Sequence, residues 1–573
     1  MIKHKTLRKI TLSIAALATA FAADSWNAAA QSDTLNMDVT FTGTKELVLK
    51  NSAKLSSWPQ ARESVLEMPP IRYSLLPFKP MVNIQPIPIQ AAKVNLEDKL
   101  SKLYRGYVRG GFGVYTTALF DLYYMDDRSR DGSWGVEYHH LSSGGGVALE
   151  DSIPDEFSTN EAKLWGRRLM KKHAIGGDIA WQRDVVHAYG FDPYLYWDAP
   201  IDNLRRRFND VQGGVQFESF YRDSTKINYR SEVRFRNFSD LNKGIENNVD
   251  VRAQARKFID SELYTLDFGV NYNDFTFQDL TADEESNRNN VLIQIQPMVT
   301  TRKGQLTVNV GAGIWLDARG EQPFHFYPIA EAAFSLLDDL FVPYAGLQGR
   351  MELNTYENIT ANNPFVRSDV ELQNTNRKIE AFGGIRGSLS SATGFNIRVA
   401  STRFDNFLYF VNDSATGPGN QFLAIYDNLS VFNLRGEVTV NTANNFRFQL
   451  RGDYFIYSTD IEAHAWYQPT TRLTLSTAYN IEDKLIASID VFTEGKRKAK
   501  SLVQHQEGIL EDDGSYTIDL QGYLDANLNI EYRYTKRISA WLRLNNLLAS
   551  NYQRWNAYPV QRFNAMMGAT YSF

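Results

Sequence analysis

Residues 524–534 read Leu-Asp-Ala-Asn-Leu-Asn-Ile-Glu-Tyr-Arg-Tyr. Leu524, Ala526, Leu528, Ile530, Tyr532 and Tyr534 fall on one parity, and Asp525, Asn527, Asn529, Glu531 and Arg533 on the other. A period of two is that of a β-strand with one apolar and one polar side. The pattern repeats upstream. Val249, Val251, Ala253 and Ala255 alternate with Asp250, Arg252, Gln254 and Arg256, and Phe446, Phe448 and Leu450 with Arg447, Gln449 and Arg451. Val233 and Phe235 stand between Glu232, Arg234 and Arg236. From Leu103 to the last residue the period does not change.

The connections between these runs come in two kinds. Short turns fall at 223–225, 301–304, 390–393, 441–445, 482–484 and 535–537. Longer polar loops fall near 143–159, 189–203, 356–377, 411–420, 498–520 and 549–561. One short end and one long end is the layout of an outer-membrane barrel, with short turns in the periplasm and long loops outside. The expected fold is therefore all-β: a transmembrane antiparallel β-barrel of about 22 strands over residues 103–573.

The remainder of the chain agrees. Residues 1–30 have the form of a secretory signal peptide, with Lys3, Lys5, Arg8 and Lys9 before an apolar stretch and Ala28-Ala29-Ala30 before Gln31. Residues 31–102 are rich in proline around Pro69-Pro70, Pro77, Pro80, Pro86 and Pro88, which favours an extended chain. They are expected to form a short periplasmic or lumen-inserted segment, with a short strand near Lys45–Lys50. Aromatic residues reach 13%, which suits girdles at the membrane interfaces. A net charge of −5 offers nothing to nucleic acid, and with no cysteine there are no disulfides and no thiolate metal sites.

Asn545–Phe573 resembles the last two strands of TonB-dependent receptors, with an aromatic loop containing Tyr558-Pro559 and a final strand ending Tyr571-Ser572-Phe573. Trp466–Lys496 is similar to the strand pair that precedes it. Leu103–Tyr124 looks like the opening strand pair of receptor-like barrels of the Bacteroidota. The resemblance implies an outer-membrane barrel that binds or passes a solute. It also implies an assembly signal at Tyr571 and Phe573, read by the outer-membrane assembly machinery. Residues 31–102 are too few for the plug domain of that family, and Asp38–Thr42 imitates its TonB box only faintly. A plugless structural barrel in an envelope complex is the alternative, with a surface lipoprotein or periplasmic partner.

Catalytic and metal-binding patterns are scarce. His139 and His140 beside Glu137, Ser142 and Ser143 are the best local set, but neighbours on a strand point apart. We expect no enzyme, no cofactor and no metal site. The polar set of most interest is Arg230, Glu232, Arg234, Asp250, Arg252 and Arg256, placed by parity on the lumen side. It would either attract anions or form ion pairs that stiffen the wall. Tyr189, Tyr194, Tyr196 and Trp197 mark a candidate extracellular ligand loop, or alternatively a belt at the membrane interface. Tyr552, Trp555 and Tyr558 carry the same two readings.

Overall fold

The computed structural model describes residues 104–573 except 127–128, 130, 148–152, 192–203, 280–283, 414–418, 443–444 and 503–507. The signal peptide, the proline-rich segment, Lys45–Lys50 and Asp38–Thr42 therefore lie outside the described residues.

From Gly106–Gly113 to Leu485–Glu494 each wall strand pairs antiparallel with its chain neighbours. The wall then continues through Tyr523–Arg533, Ile538–Asn545 and Asn564–Ser572. The last strand pairs with the first, Tyr571 opposite Val108 and Ser572 opposite Tyr107. Phe573 completes the join, its carbonyl accepting from Arg105 and its amide donating to Gly106. The result is a closed barrel of 22 strands, which leaves no edge of the wall unpaired in the bilayer.

The alternation in the sequence separates the two faces of the wall. Val233 and Phe235 are exposed on the outside, about half accessible, whereas Arg234 between them bonds to Asp178 across two strands. Aromatic residues gather where the outer face meets the short-turn end. Tyr124 packs on Trp134 and Phe573 at 5.4 and 6.3 Å, and His173 stacks on Phe217 at 5.5 Å.

The two ends are unequal, as the turns predicted. Between wall strands the connections at one end are two to eight residues long, and the termini of the wall lie there too. At the other end they reach 353–374, 546–563 and 495–522. By the usual arrangement the short end is periplasmic and the long end extracellular.

One seam of the wall is poorer than the rest. Phe324–Phe334 pairs with Leu306–Asp317 along its whole length. With Val342–Glu352 it registers only Ala330–Ala333 against Leu347–Tyr344. Above that point Val342–Glu352 carries a bulge between Gln348 and Arg350 in its ladder with Thr375–Ser390. Pro328, which has no N–H to donate, sits in the strand just above the four pairs.

Candidate functional site

Described parts of several long loops turn inward. With the strand tops they build the largest hydrophobic core among the described residues, in the extracellular mouth. Its members come from strand tops, such as Phe238, Phe275 and Phe404, and from loops, such as Val366, Trp466 and Tyr558. A loop whose apolar side chains are shielded in this way is a packed cap.

The loop 353–374 holds the cap together. It begins with a short helix, Tyr356–Asn362, whose N-cap Thr355 accepts from the Asn358 amide at 3.1 Å. Glu246, fully buried on the strand Ile245–Ile259, accepts from the amides of Tyr356 and Glu357 at 2.7 and 3.0 Å. It also accepts from the Asn273 side chain at 2.8 Å. A carboxylate thus meets the two free N–H groups at the positive end of a helix, the favourable pairing for both. Asp240 accepts from the hydroxyls of Tyr356 and Ser368, and Arg236 pairs with Glu357. Tyr356 stacks on Phe275 at 4.7 Å and meets Phe238 edge-on at 5.6 Å. The loop leaves the wall at one place and docks five strands away.

Its other side meets further loops. The Arg367 amide donates to the Phe422 carbonyl, and the Arg367 guanidinium pairs with Asp369 and Asp413. Phe365 stacks on Tyr558 at 3.7 Å. Buried side-chain amides join the remaining loops. Asn412 accepts from Tyr467 at 3.3 Å and from Asn556 at 3.1 Å, and Asn420 donates to the Ala188 carbonyl at 2.7 Å. These bonds satisfy polar groups that the apolar packing would otherwise strand.

Tyr558 is central to this packing. Gly190 lies under its ring, and a Cβ there would come within 2.2 Å of it. Tyr558→Ala would leave a cavity costing about 3–5 kcal/mol, the range for deleting a buried aromatic. The expected result is faster proteolysis in the extracellular loops while the barrel keeps its heat-modifiable gel mobility.

Burial in the cap raises the Glu357 carboxyl above the usual carboxylate range, against the pull of Arg236. A group that binds its proton more tightly when docked favours docking as pH falls. Taking the protein from about pH 7 to about pH 5 should therefore make this contribution to loop docking stronger. Glu357→Gln should flatten the pH dependence of loop cleavage, measured with a protease active over that range.

The residues singled out in the sequence fall in three places. By register and parity Arg230, Glu232, Arg234, Asp250, Arg252 and Arg256 share the lumen side of two adjacent strands. Arg234 bonds to Asp178 at 3.1 Å and Glu232 at 2.9 Å, Arg252 to Asp250 at 2.7 Å, and Arg230 to Gln216 at 3.2 Å. Arg256 stands opposite Asn228. Tyr189 is part of the cap, donating to the Pro559 carbonyl at 2.8 Å and packing on Tyr558 and Phe365. Tyr194, Tyr196 and Trp197 lie outside the described residues. Tyr571 and Phe573 stand on the outer face of the closing strand, 6.3 Å apart and half exposed.

Two readings are corrected. The loops 356–377 and 549–561, taken as polar connections, supply Tyr356, Ile359, Val366 and Trp555 to the core. Tyr552, Trp555 and Tyr558 are neither a membrane belt nor an exposed ligand surface, because all three are buried. Nor does the sequence pattern reveal Glu246 and Asp240, since the helix they hold lies more than a hundred residues away. His139 shares Asp121 with Arg109, and His140 bonds to Asn160 and Ser142, so the two rings do part as expected. Among the described residues no group of His, Asp and Glu has the arrangement of a metal site.

No protein-family model matches the chain, and no curated protein matches it in sequence. Solved structures do match in shape. The FrpB iron transporter of Neisseria meningitidis superposes with a TM-score of 0.63 at 10% identity, over 83% of this chain and 82% of that one. The ferric-catecholate import receptor Fiu of K12 E. coli, in its closed form, gives 0.60 at 11% identity over 82% of each chain. The pyoverdine outer-membrane receptor FpvA of Pseudomonas aeruginosa PAO1 gives 0.59 at 12% identity, over 82% of this chain and 79% of that one. The protein has the closed β-barrel fold of these outer-membrane transport receptors. At such low identity the likeness concerns the fold alone.

Proposed function

We propose that this barrel is a gated, receptor-like transporter that binds a solute at its extracellular mouth and passes it along the polar lumen. The observation that carries this reading is the cap. A packed layer of loops lies across the mouth of a wall lined with charged and amide side chains. A purely structural barrel has no need of a packed layer of loops over a polar lumen.

The cluster around Arg234 and Arg252 is proposed as part of the passage, its charges of both signs paired with one another at rest. Iron chelates are the first solutes to try, since the proteins of similar fold include a ferric-catecholate import receptor and an iron transporter. Residues 31–102 are proposed as a short periplasmic or lumen-inserted segment, and Tyr571 and Phe573 as the feature read by the assembly machinery. A surface lipoprotein is a further proposed partner.

The cap contains its own reporters. Trp466 and Trp555 are both buried in it, the first donating to Glu462 at 2.7 Å. Titrating the purified protein with a panel of ferric chelates should change tryptophan emission in a saturable way for the cognate class. Substituting both tryptophans by Phe should remove that change. If no member of the panel gives saturation, iron chelates are excluded as the solute. If loop removal also leaves the barrel closed to small solutes, the transport reading falls and the structural alternative takes its place.

A further inference from the structure

The poor seam between Phe324–Phe334 and Val342–Glu352 coincides with a second feature, found on the opposite face of the same strands. On the outer surface a concavity of 580 Å³ crosses the foot of the seam. It is lined by small apolar residues, among them Ala330, Ala332, Ala345, Ala381 and Gly383, with Phe432 at its margin. We propose that this seam is a lateral entry to the lumen for an amphiphile, whose hydrocarbon tail lodges in the groove. The proposal rests on the transport reading and adds to it a second route into the lumen, from the bilayer, for a second class of substrate.

The occupant follows from where the groove lies. It is continuous with the lipid-facing surface of the barrel, between Phe324 and Phe326 on one side and Ile385 and Phe432 on the other, all exposed. In the hydrocarbon layer nothing polar reaches such a surface, so an alkyl chain is the matching ligand.

The route follows from the ladder. Backbone hydrogen bonds are costly to break in hydrocarbon, so a wall parts where it has fewest. Here the two strands register four residue pairs, whereas Phe324–Phe334 registers eleven with its other neighbour. On the lumen side Tyr327 lies over the seam, in a small buried cluster with Trp315 and Met351. The Tyr327 ring lies against Gly349, where a Cβ would come within 2.4 Å of it. The Tyr327 hydroxyl donates to Asn376 at 2.6 Å, reaching past the intervening strand. That intervening strand runs directly into the loop 353–374, so movement of the cap would pull on the weak side of the seam.

The test uses the full chain in phosphatidylethanolamine–phosphatidylglycerol nanodiscs with a diazirine-bearing palmitic acid. After photolysis, labelled peptides are mapped by mass spectrometry. The groove strands should be labelled several-fold more than Glu262–Gln278, a lipid-facing strand elsewhere in the wall. Ala345→Phe with Ala381→Phe should abolish that excess. Label should also reach the Tyr327 and Asn376 peptides from the lumen side. A cysteine pair, Ala332→Cys with Ala345→Cys at opposed ladder positions, should block this second labelling when oxidised and restore it when reduced. The chain has no other cysteine to interfere, and this pair tests the route even if the bulky variant fails to assemble. Even labelling around the wall would overturn the groove, leaving ordinary annular lipid. Lumen labelling unaffected by the disulfide would overturn the route. Either result reads the seam alone, while conductance after loop removal reads transport, so the two ideas fail separately.

Discussion

Deleting residues 356–372 and joining the ends with a short glycine-serine linker should turn a silent barrel into one that conducts steadily in planar bilayers. The removed segment carries Tyr356, Ile359, Phe365, Val366, Val370 and Leu372, all buried in the mouth. Burial of six such side chains contributes on the order of 10 kcal/mol against leaving them in water. Ordering the loop offsets part of this. What remains still makes the open state rare without a ligand, so the intact protein should show few openings. The deletion removes the layer that connects Phe275 on one side of the mouth with Tyr558 on the other. The measurement should be repeated on a form beginning at residue 104. Conductance only in that form would show that the N-terminal segment also blocks the lumen. Silence in both loop-deleted forms would mean that the loops 460–470 and 495–522 suffice to close the mouth, contrary to the role argued here.

Glu246→Ala should release the same loop without removing it. The substitution strands two helix amides and the Asn273 side chain in a buried site, and each unpartnered donor costs about 1–3 kcal/mol. Water entering the cavity recovers some of this, and a net loss of about 2–5 kcal/mol in docking is expected. Limited proteolysis should then cut within 353–374 at least tenfold faster, about 1.4 kcal/mol per decade, while the wall stays resistant. Glu246→Gln keeps one acceptor and should have a smaller effect. An Ala variant with unchanged cleavage would show that apolar packing alone holds the loop.

These two experiments concern residues that pattern reading does not find. Alternation at Leu524–Tyr534 or Val249–Arg256 is a local property of the chain, because a strand between lipid and a wet lumen must change character at every residue. The long-loop and short-turn ends are local too, set by the spacing between alternating runs. The cap is different. Tyr356 and Glu246 have no relation in sequence, and an aromatic residue in a loop has the same pattern whether it faces a ligand, a headgroup or a core. Tyr189 and Tyr558 carried the ligand and interface readings in sequence, and their packing against each other places them in the cap. The seam had local signs in Pro328 and Pro343, but prolines in strands do not specify how many ladder pairs survive beside them.

The barrel, its approximate strand number, the face on which each wall residue lies and the end at which the long loops emerge are all legible along the chain. Each of these follows from a period of two and from loop length. The packing of loops against one another in the mouth, the hold of Glu246 and Asp240 on the helix there, and the weak seam come from tertiary contacts instead. These depend on contacts between segments a hundred or more residues apart, or on register between neighbouring strands. Neither kind of contact leaves a periodic trace in the chain.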